Sequence, residues 1–241
     1  MIWEIDIKKK YLLYVILMSL TGLCSAQEGF HGSMESLPPK IAKEVLGHSW
    51  HKGCPLSLDS MSYLTLTYWG FDHKPHEGHL IVLNLFAGET LQIFKELYQI
   101  KFPIEKMIIP DNYSSQKNDW HSIDWKSSED DDTAGFLCRE DDQVPGEFSP
   151  HSYGIAIDMN PVYNPSRVAN NKVEPESGKK YFDRSLHHEG MINESVVAIF
   201  AKHGWKWGGY WPKDKIDYQH FQKDMDEHYM CPILVTFPKQ K

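Results

Sequence analysis

Apolar and polar residues alternate along Tyr63-Leu64-Thr65-Leu66-Thr67-Tyr68, a period of two that predicts a strand with one buried face. Leu80-Ile81-Val82-Leu83 is a short continuous apolar run and predicts a second strand. Between Glu89 and Ile100 the period changes. Leu91, Phe94, Leu97 and Tyr98 recur at helical spacing, so this segment is expected to be an amphipathic helix. A short helical pattern covers Ile41 to Leu46 after Pro38-Pro39, and Met107-Ile108-Ile109 reads as a brief strand ending at Pro110. Alternation resumes from Ser152 to Met159, and a last strand is expected over Tyr218 to Phe221. Asn193 is placed to cap a helix from Glu194 to about His203, with Gly204 stopping it. The polar stretch 111–132, ending Glu129-Asp130-Asp131-Asp132, reads as a solvated loop, and 160–190, rich in Pro, Asn, Gly and Lys, as a long loop. No repeat or linker divides the chain. The expected class is α+β: one domain with a small antiparallel sheet, helices packed on it and long loops.

Composition narrows the function. The 241 residues are 41% hydrophobic and 24% charged, as in ordinary folded domains. The formal charge of −8 argues against phosphate-driven nucleic-acid binding. Lys8-Lys9-Lys10, the apolar run Tyr11 to Met18 and the Cys24-Ser25-Ala26 end have the layout of a secretory signal peptide cut near Ala26. The apolar run is too short for a comfortable membrane span. The protein is therefore expected to be exported, periplasmic or secreted, with residues 27–60 as a loosely structured lead-in. Cys54, Cys138 and Cys231 remain after cleavage. That leaves room for one disulfide and a spare thiol, and spacing does not choose the pair. No C-x-x-C pair offers a thiolate zinc site of the usual spacing.

Two segments concentrate chemistry. Ser149-Pro150-His151-Ser152-Tyr153-Gly154-Ile155-Ala156-Ile157-Asp158 is the first, and Gly204-Trp205-Lys206-Trp207-Gly208-Gly209-Tyr210-Trp211 with Asp217-Tyr218-Gln219-His220-Phe221 the second. Two imidazoles and a carboxylate are a usual protein ligand set for catalytic zinc. A further carboxylate can move the proton of the attacking water. His151 and Asp158 need a loop or bend to meet. Asp217 and His220 would face opposite sides of a regular strand, so a bulge or turn at Tyr218 is required.

These spaced motifs resemble the zinc D-alanyl-D-alanine carboxypeptidase and L-alanyl-D-glutamate endopeptidase family, which cuts peptidoglycan stem peptides. The likeness extends from about Cys54 to Gln222 and includes Tyr68-Trp69-Gly70-Phe71-Asp72, Phe102-Pro103-Ile104, Thr133-Ala134-Gly135-Phe136-Leu137-Cys138-Arg139 and Asn160-Pro161-Val162-Tyr163-Asn164-Pro165. The resemblance implies one Zn2+ held by His151, Asp158 and His220. It implies Asp217 as general base, where many members carry Glu. It implies Arg139 as the group that meets a substrate carboxylate or the oxyanion, and Ser149 as a site-lining residue. Leu137 stands where many members have Asn. On this reading residues 1–26 are the signal peptide, 27–60 the lead-in and 61–241 a zinc peptidase domain, with no stable membrane span after cleavage. A non-catalytic peptidoglycan-binding module with a structural zinc is the alternative. His73, His76 and His79 are expected in a turn between strands, with His76 bordering the cleft. His187-His188-Glu189 is expected at the surface, and at least two of Trp205, Trp207 and Trp211 in the core.

Overall fold

A computed structural model describes residues 29–113, 119–141, 144 and 146–224. The expected signal peptide and Cys231 lie outside the described residues. The element order begins with β1 (Gly32–Ser36), α1 (Pro39–Val45), β2 (Met61–Trp69), β3 (Pro75–Leu83) and α2 (Ala87–Gln99). It continues with α3 (Trp120–Glu129), β4 (Ala156–Asp158), β5 (Ser166–Val168) and β6 (Lys172–Glu174), then α4 (Glu194–Lys202), β7 (Lys206–Trp207) and β8 (His220–Gln222). Helices and small antiparallel sheets are mixed, so the class is α+β. One sheet has the order β1-β2-β3, another β4-β8-β7, and β5-β6 is a separate hairpin.

The two halves share one core. Alternation in β2 sends Leu64, Leu66 and Tyr68 inward, and α2 covers that face with Ile93, Phe94 and Leu97. The same core takes Val196 and Phe200 from α4 and Phe221 from β8, whose ring stacks on Phe200 at 3.7 Å between centroids. Asn193 does cap α4: its side chain accepts from the backbone N–H of Ser195 and Val196. Gly204 follows at φ +74°.

Several loop expectations give way to structure. Residues 32–36 pair with β2, so the lead-in is part of the sheet. Cys54 is joined to Cys138 across 84 residues, a closure that stabilises by about 4.5 kcal/mol in the chain-entropy account. Polar 111–132 contains α3, whose buried side is only Ile123 and Ser127, too little to register as an apolar stripe. Residues 160–190 contain the β5-β6 hairpin and a 3₁₀ turn over Glu176–Tyr181. Met107–Ile109 is irregular rather than a strand. It is held by a backbone bond, from the His79 N–H to the Met107 carbonyl at 2.8 Å, and by Asp132, which accepts from the Ile108 N–H at 2.9 Å.

Asp131 and Asp132 are also the largest departure from the solvated reading of the acidic run. They are 5% and 1% exposed. Asp131 Oδ1 accepts from the Val162 N–H at 2.7 Å, and Asp132 Oδ2 accepts from Ser127 Oγ at 2.9 Å. Short polar side chains thus reinforce the backbone bridge between Lys106 and Asp132 and tie residues 108, 127 and 162 to the acidic run. Burial raises both carboxyls, Asp131 to about 8 and Asp132 to about 7. Such a group keeps its proton in the folded chain after the unfolded chain has lost it near pH 4. Its contribution is complete below that pH and is lost as pH rises through about 7 to 8. At fixed metal content, the unfolding free energy from urea titration should therefore fall between pH 5 and 9. The slope approaches about 1.4 kcal/mol per pH unit for each proton retained. Asp131→Asn should flatten that slope; an unchanged slope would show that Asp131 is already ionised in the fold.

Candidate metal centre and active site

β4 and β8 run antiparallel with Asp158 directly opposite His220. Side chains of directly opposed residues share a face, so this one register brings the acid of the first motif to the histidine of the second. His151 arrives from a 3₁₀ turn, Pro150–Tyr153, just before β4. That turn starts at Ser149, whose side chain accepts from the His151 N–H, and ends at Gly154 with φ +65°. A Cβ on Gly154 would stand 2.6 Å from the Leu83 backbone nitrogen, so the turn is pressed against β3 and only glycine fits.

The donor atoms converge. Among the described residues, His151, Asp158 and His220 form a group whose ligand atoms all lie within 4.8 Å of one another. His151 Nε2 is 3.2 Å from His220 Nδ1 and 3.2 Å from Asp158 Oδ2, and His220 Nδ1 is 3.0 Å from Asp158 Oδ1. Ligands about 2.0–2.1 Å from a tetrahedral zinc stand roughly 3.3 Å apart, so these edges suit zinc. The far side of each ring is already occupied. His151 Nδ1 is 2.6 Å from the Gly135 carbonyl oxygen, and His220 Nε2 is 2.9 Å from Gln222 Oε1. Such outer partners take the ring N–H, fix the tautomer and turn the other nitrogen toward the ion. The second group, His51 with Cys54 and Cys138, has both sulfurs tied up in the disulfide.

Charge in this cluster is strongly shared. Burial disfavours the Asp158 carboxylate, but the His151 and His220 rings outweigh it and hold the carboxyl well below its usual range. Burial likewise opposes charge on His220, yet its bond to Asp158 lifts the ring to about 9. Asp217 is pushed up to about 6, first by burial and then by the Asp158 carboxylate. Its Oδ1 is buried with no hydrogen-bond partner. Asp217 lies before β8 rather than on it, in a bridge to Ser166, which resolves the facing problem posed by its three-residue spacing from His220. Gly208 backs this segment: a Cβ there would stand 2.6 Å from the Asp217 carbonyl oxygen.

All four residues line a cleft of about 830 Å³, together with Arg139 and Ser149. Arg139 is carried beside the His151 turn by one hydroxyl. Ser152 Oγ accepts from the Arg139 N–H at 2.8 Å and donates to the Arg139 carbonyl at 2.7 Å. The Ser149 N–H donates to the same carbonyl at 3.0 Å. Behind it, Cys138 forms the disulfide and donates its N–H to the Ser49 carbonyl at 2.9 Å. Leu137 is buried at 4% exposure and is absent from the cleft lining.

Residues 143–223 match the family model described as D-alanyl-D-alanine carboxypeptidase. The similarity to this carboxypeptidase family covers a third of the chain and includes His151, Asp158, Asp217 and His220, while Arg139 lies just before it. No curated protein and no solved structure matches the chain.

The other histidine candidates fall elsewhere. His73 occupies the β2–β3 turn, 3.8 Å from Glu189, whereas His76 and His79 lie on β3 itself. His76 pairs with Asp72 at 2.8 Å and stacks on Tyr68, away from the cleft lining. His79 stacks on Tyr63. His187-His188-Glu189 is exposed. Trp205 is in the core and Trp207 packs against it, while Trp211 lines the cleft with its ring 5.3 Å from His220. Gln222 and Ser152 were not singled out from the sequence. Gln222 carried one signal, its position two residues beyond His220, which puts both on one strand face.

Replacing Gln222 by Leu should therefore loosen the His220 ring without filling or emptying the ligand set. Zinc affinity of the purified protein, measured by competition with a chromogenic chelator, should drop by about 10–100-fold. His151→Ala should abolish stoichiometric binding. Wild-type affinity in the Gln222→Leu protein would remove that side chain from the metal centre.

Proposed function

We propose that the protein is an exported zinc-dependent peptidase that hydrolyses peptidoglycan stem peptides, with the bond between two D-alanines as the favoured target. One observation carries the reading: the matched carboxypeptidase segment contains a zinc-suited His151–Asp158–His220 triangle with the orphaned Asp217 oxygen in the same cleft. A purely structural zinc needs neither an adjacent carboxylate with a buried, unpartnered oxygen nor an open cleft. Stem peptides are the substrate class that the matched family's description supports. The N-terminal pattern through Ala26 supports export.

In this reading His151, Asp158 and His220 hold the ion. Zinc bound there supplies Lewis acidity that activates water and polarises a scissile carbonyl. Asp217 takes the proton of the attacking water on its carboxylate and returns it to the leaving amine. Burial raises this carboxyl above an ordinary aspartate, which makes it a better proton acceptor. Arg139 pairs its guanidinium with a substrate carboxylate. Ser149 sets the start of the His151 turn.

Mature protein loaded with one zinc, incubated with defined stem peptides and analysed by mass spectrometry, should release the terminal D-Ala. A fragment ending in L-Ala would instead assign the endopeptidase activity. Bound zinc and bound peptide without any cleavage would favour the binding-module alternative. Asp217→Asn should keep zinc at wild-type stoichiometry while kcat falls by at least about 100-fold. Equal turnover in that variant would remove Asp217 from the proton path.

A further inference from the structure

The cleft has a wall built by α3. His121, Asp124, Trp125 and Ser128 recur at helical spacing and line the cleft together with Ser127, so the helix turns one mixed polar and aromatic face to the site. From that face Asp124 Oδ2 reaches within 3.0 Å of Arg139 Nε. The arginine side chain is 14% exposed and the aspartate 38%. Ser152 and Ser149 fix the Arg139 backbone, as described above, but they do not set its side-chain torsions. An arginine side chain carries about 2 kcal/mol of rotamer entropy, and unless something holds it, aiming it at a ligand has to overcome that entropy. The Glu140 carbonyl accepts from Arg139 Nη1 at 3.3 Å, and the Asp124 carboxylate adds an ion pair at the Nε edge that helps hold the guanidinium plane in advance.

We infer that Asp124 is a positioning residue: it aims the Arg139 guanidinium into the cleft and makes α3 the wall that selects substrates with a free carboxylate. The inference rests on the reading of Arg139 as the receptor for that carboxylate. Two effects of Asp124 oppose each other. Its negative charge repels an incoming carboxylate, whereas its hold on Nε removes the entropic cost of aligning the guanidinium. Partial exposure screens the repulsion, and the short contact preserves the alignment. Positioning therefore wins, and removing the charge weakens recognition.

The test uses the zinc-loaded full-length mature protein and two probes: a stem peptide ending in a free D-Ala carboxylate, and the same peptide as its C-terminal amide. Arg139→Ala should lose most of the preference for the acid over the amide. Asp124→Asn should raise KM for the acid about tenfold, equivalent to about 1.4 kcal/mol, with kcat changed by less than about twofold. Its acid-to-amide ratio of kcat/KM should fall by the same factor. Asp124→Glu should recover most of the ratio, and Asp124→Asn placed in the Arg139→Ala background should change it no further. An unchanged or lowered KM for the acid in Asp124→Asn, with Arg139→Ala still losing discrimination, would overturn the positioning role alone. A preference untouched by Arg139→Ala would overturn the carboxylate reading of Arg139 and this inference with it.

Discussion

The structure depends on the pairing of β4 with β8. Each strand is three residues long, and their register sets Asp158 against His220. β8 alternates with a separate task at each position. His220 faces the cleft, Phe221 stacks on Phe200 in the core, and Gln222 returns to the cleft face to hold the His220 ring. A slip by one residue would turn Phe221 toward Asp158 and His151 and bury His220 among apolar side chains. Core packing therefore enforces site geometry: the stacked Phe221 and Phe200 rings lock the register on which the His151–Asp158–His220 triangle depends.

Around this pair, the support of the site is made of backbone groups and small side chains. The Gly135 carbonyl orients His151, and the Ser152 hydroxyl bonds both the N–H and C=O of Arg139. The disulfide joins the chain at Cys54 to the residue just before Arg139. What lies behind β1 and α1 is thereby part of the scaffold under the cleft. These contacts lie on three different chain segments, and each is short and specific, which is how a site built largely on loops and turns gains rigidity.

Much of this was legible in the chain. Period-two alternation predicted β2, helical spacing predicted α2, and the Asn193 and Gly204 signals marked both ends of α4, because in each case a local rule and the tertiary environment agree. The three residues of the triangle and Asp217 beside it were legible as two spaced motifs. What stayed hidden has a common physical basis. Asp131 and Asp132 read as solvent-facing, yet they are buried because backbone N–H groups of 108 and 162 need acceptors where no strand supplies one. Helix α3 escaped because its apolar side is nearly confined to Ile123. Gln222 and Ser152 are polar residues of ordinary type, and their roles follow only from which atoms lie opposite them in space.

The β5-β6 hairpin is also part of the cleft wall, and its backbone is continuous by hydrogen bonding with the segment before β8. Ser166 bridges to Asp217, and the Arg167 N–H donates to the Ile216 carbonyl at 2.7 Å. This part of the cleft wall and the Asp217 carboxylate beside the His151–Asp158–His220 triangle are therefore one mechanical unit. A displacement of the hairpin is coupled to Asp217, so a change in the shape of the cleft wall is transmitted to the residues around His151, Asp158 and His220.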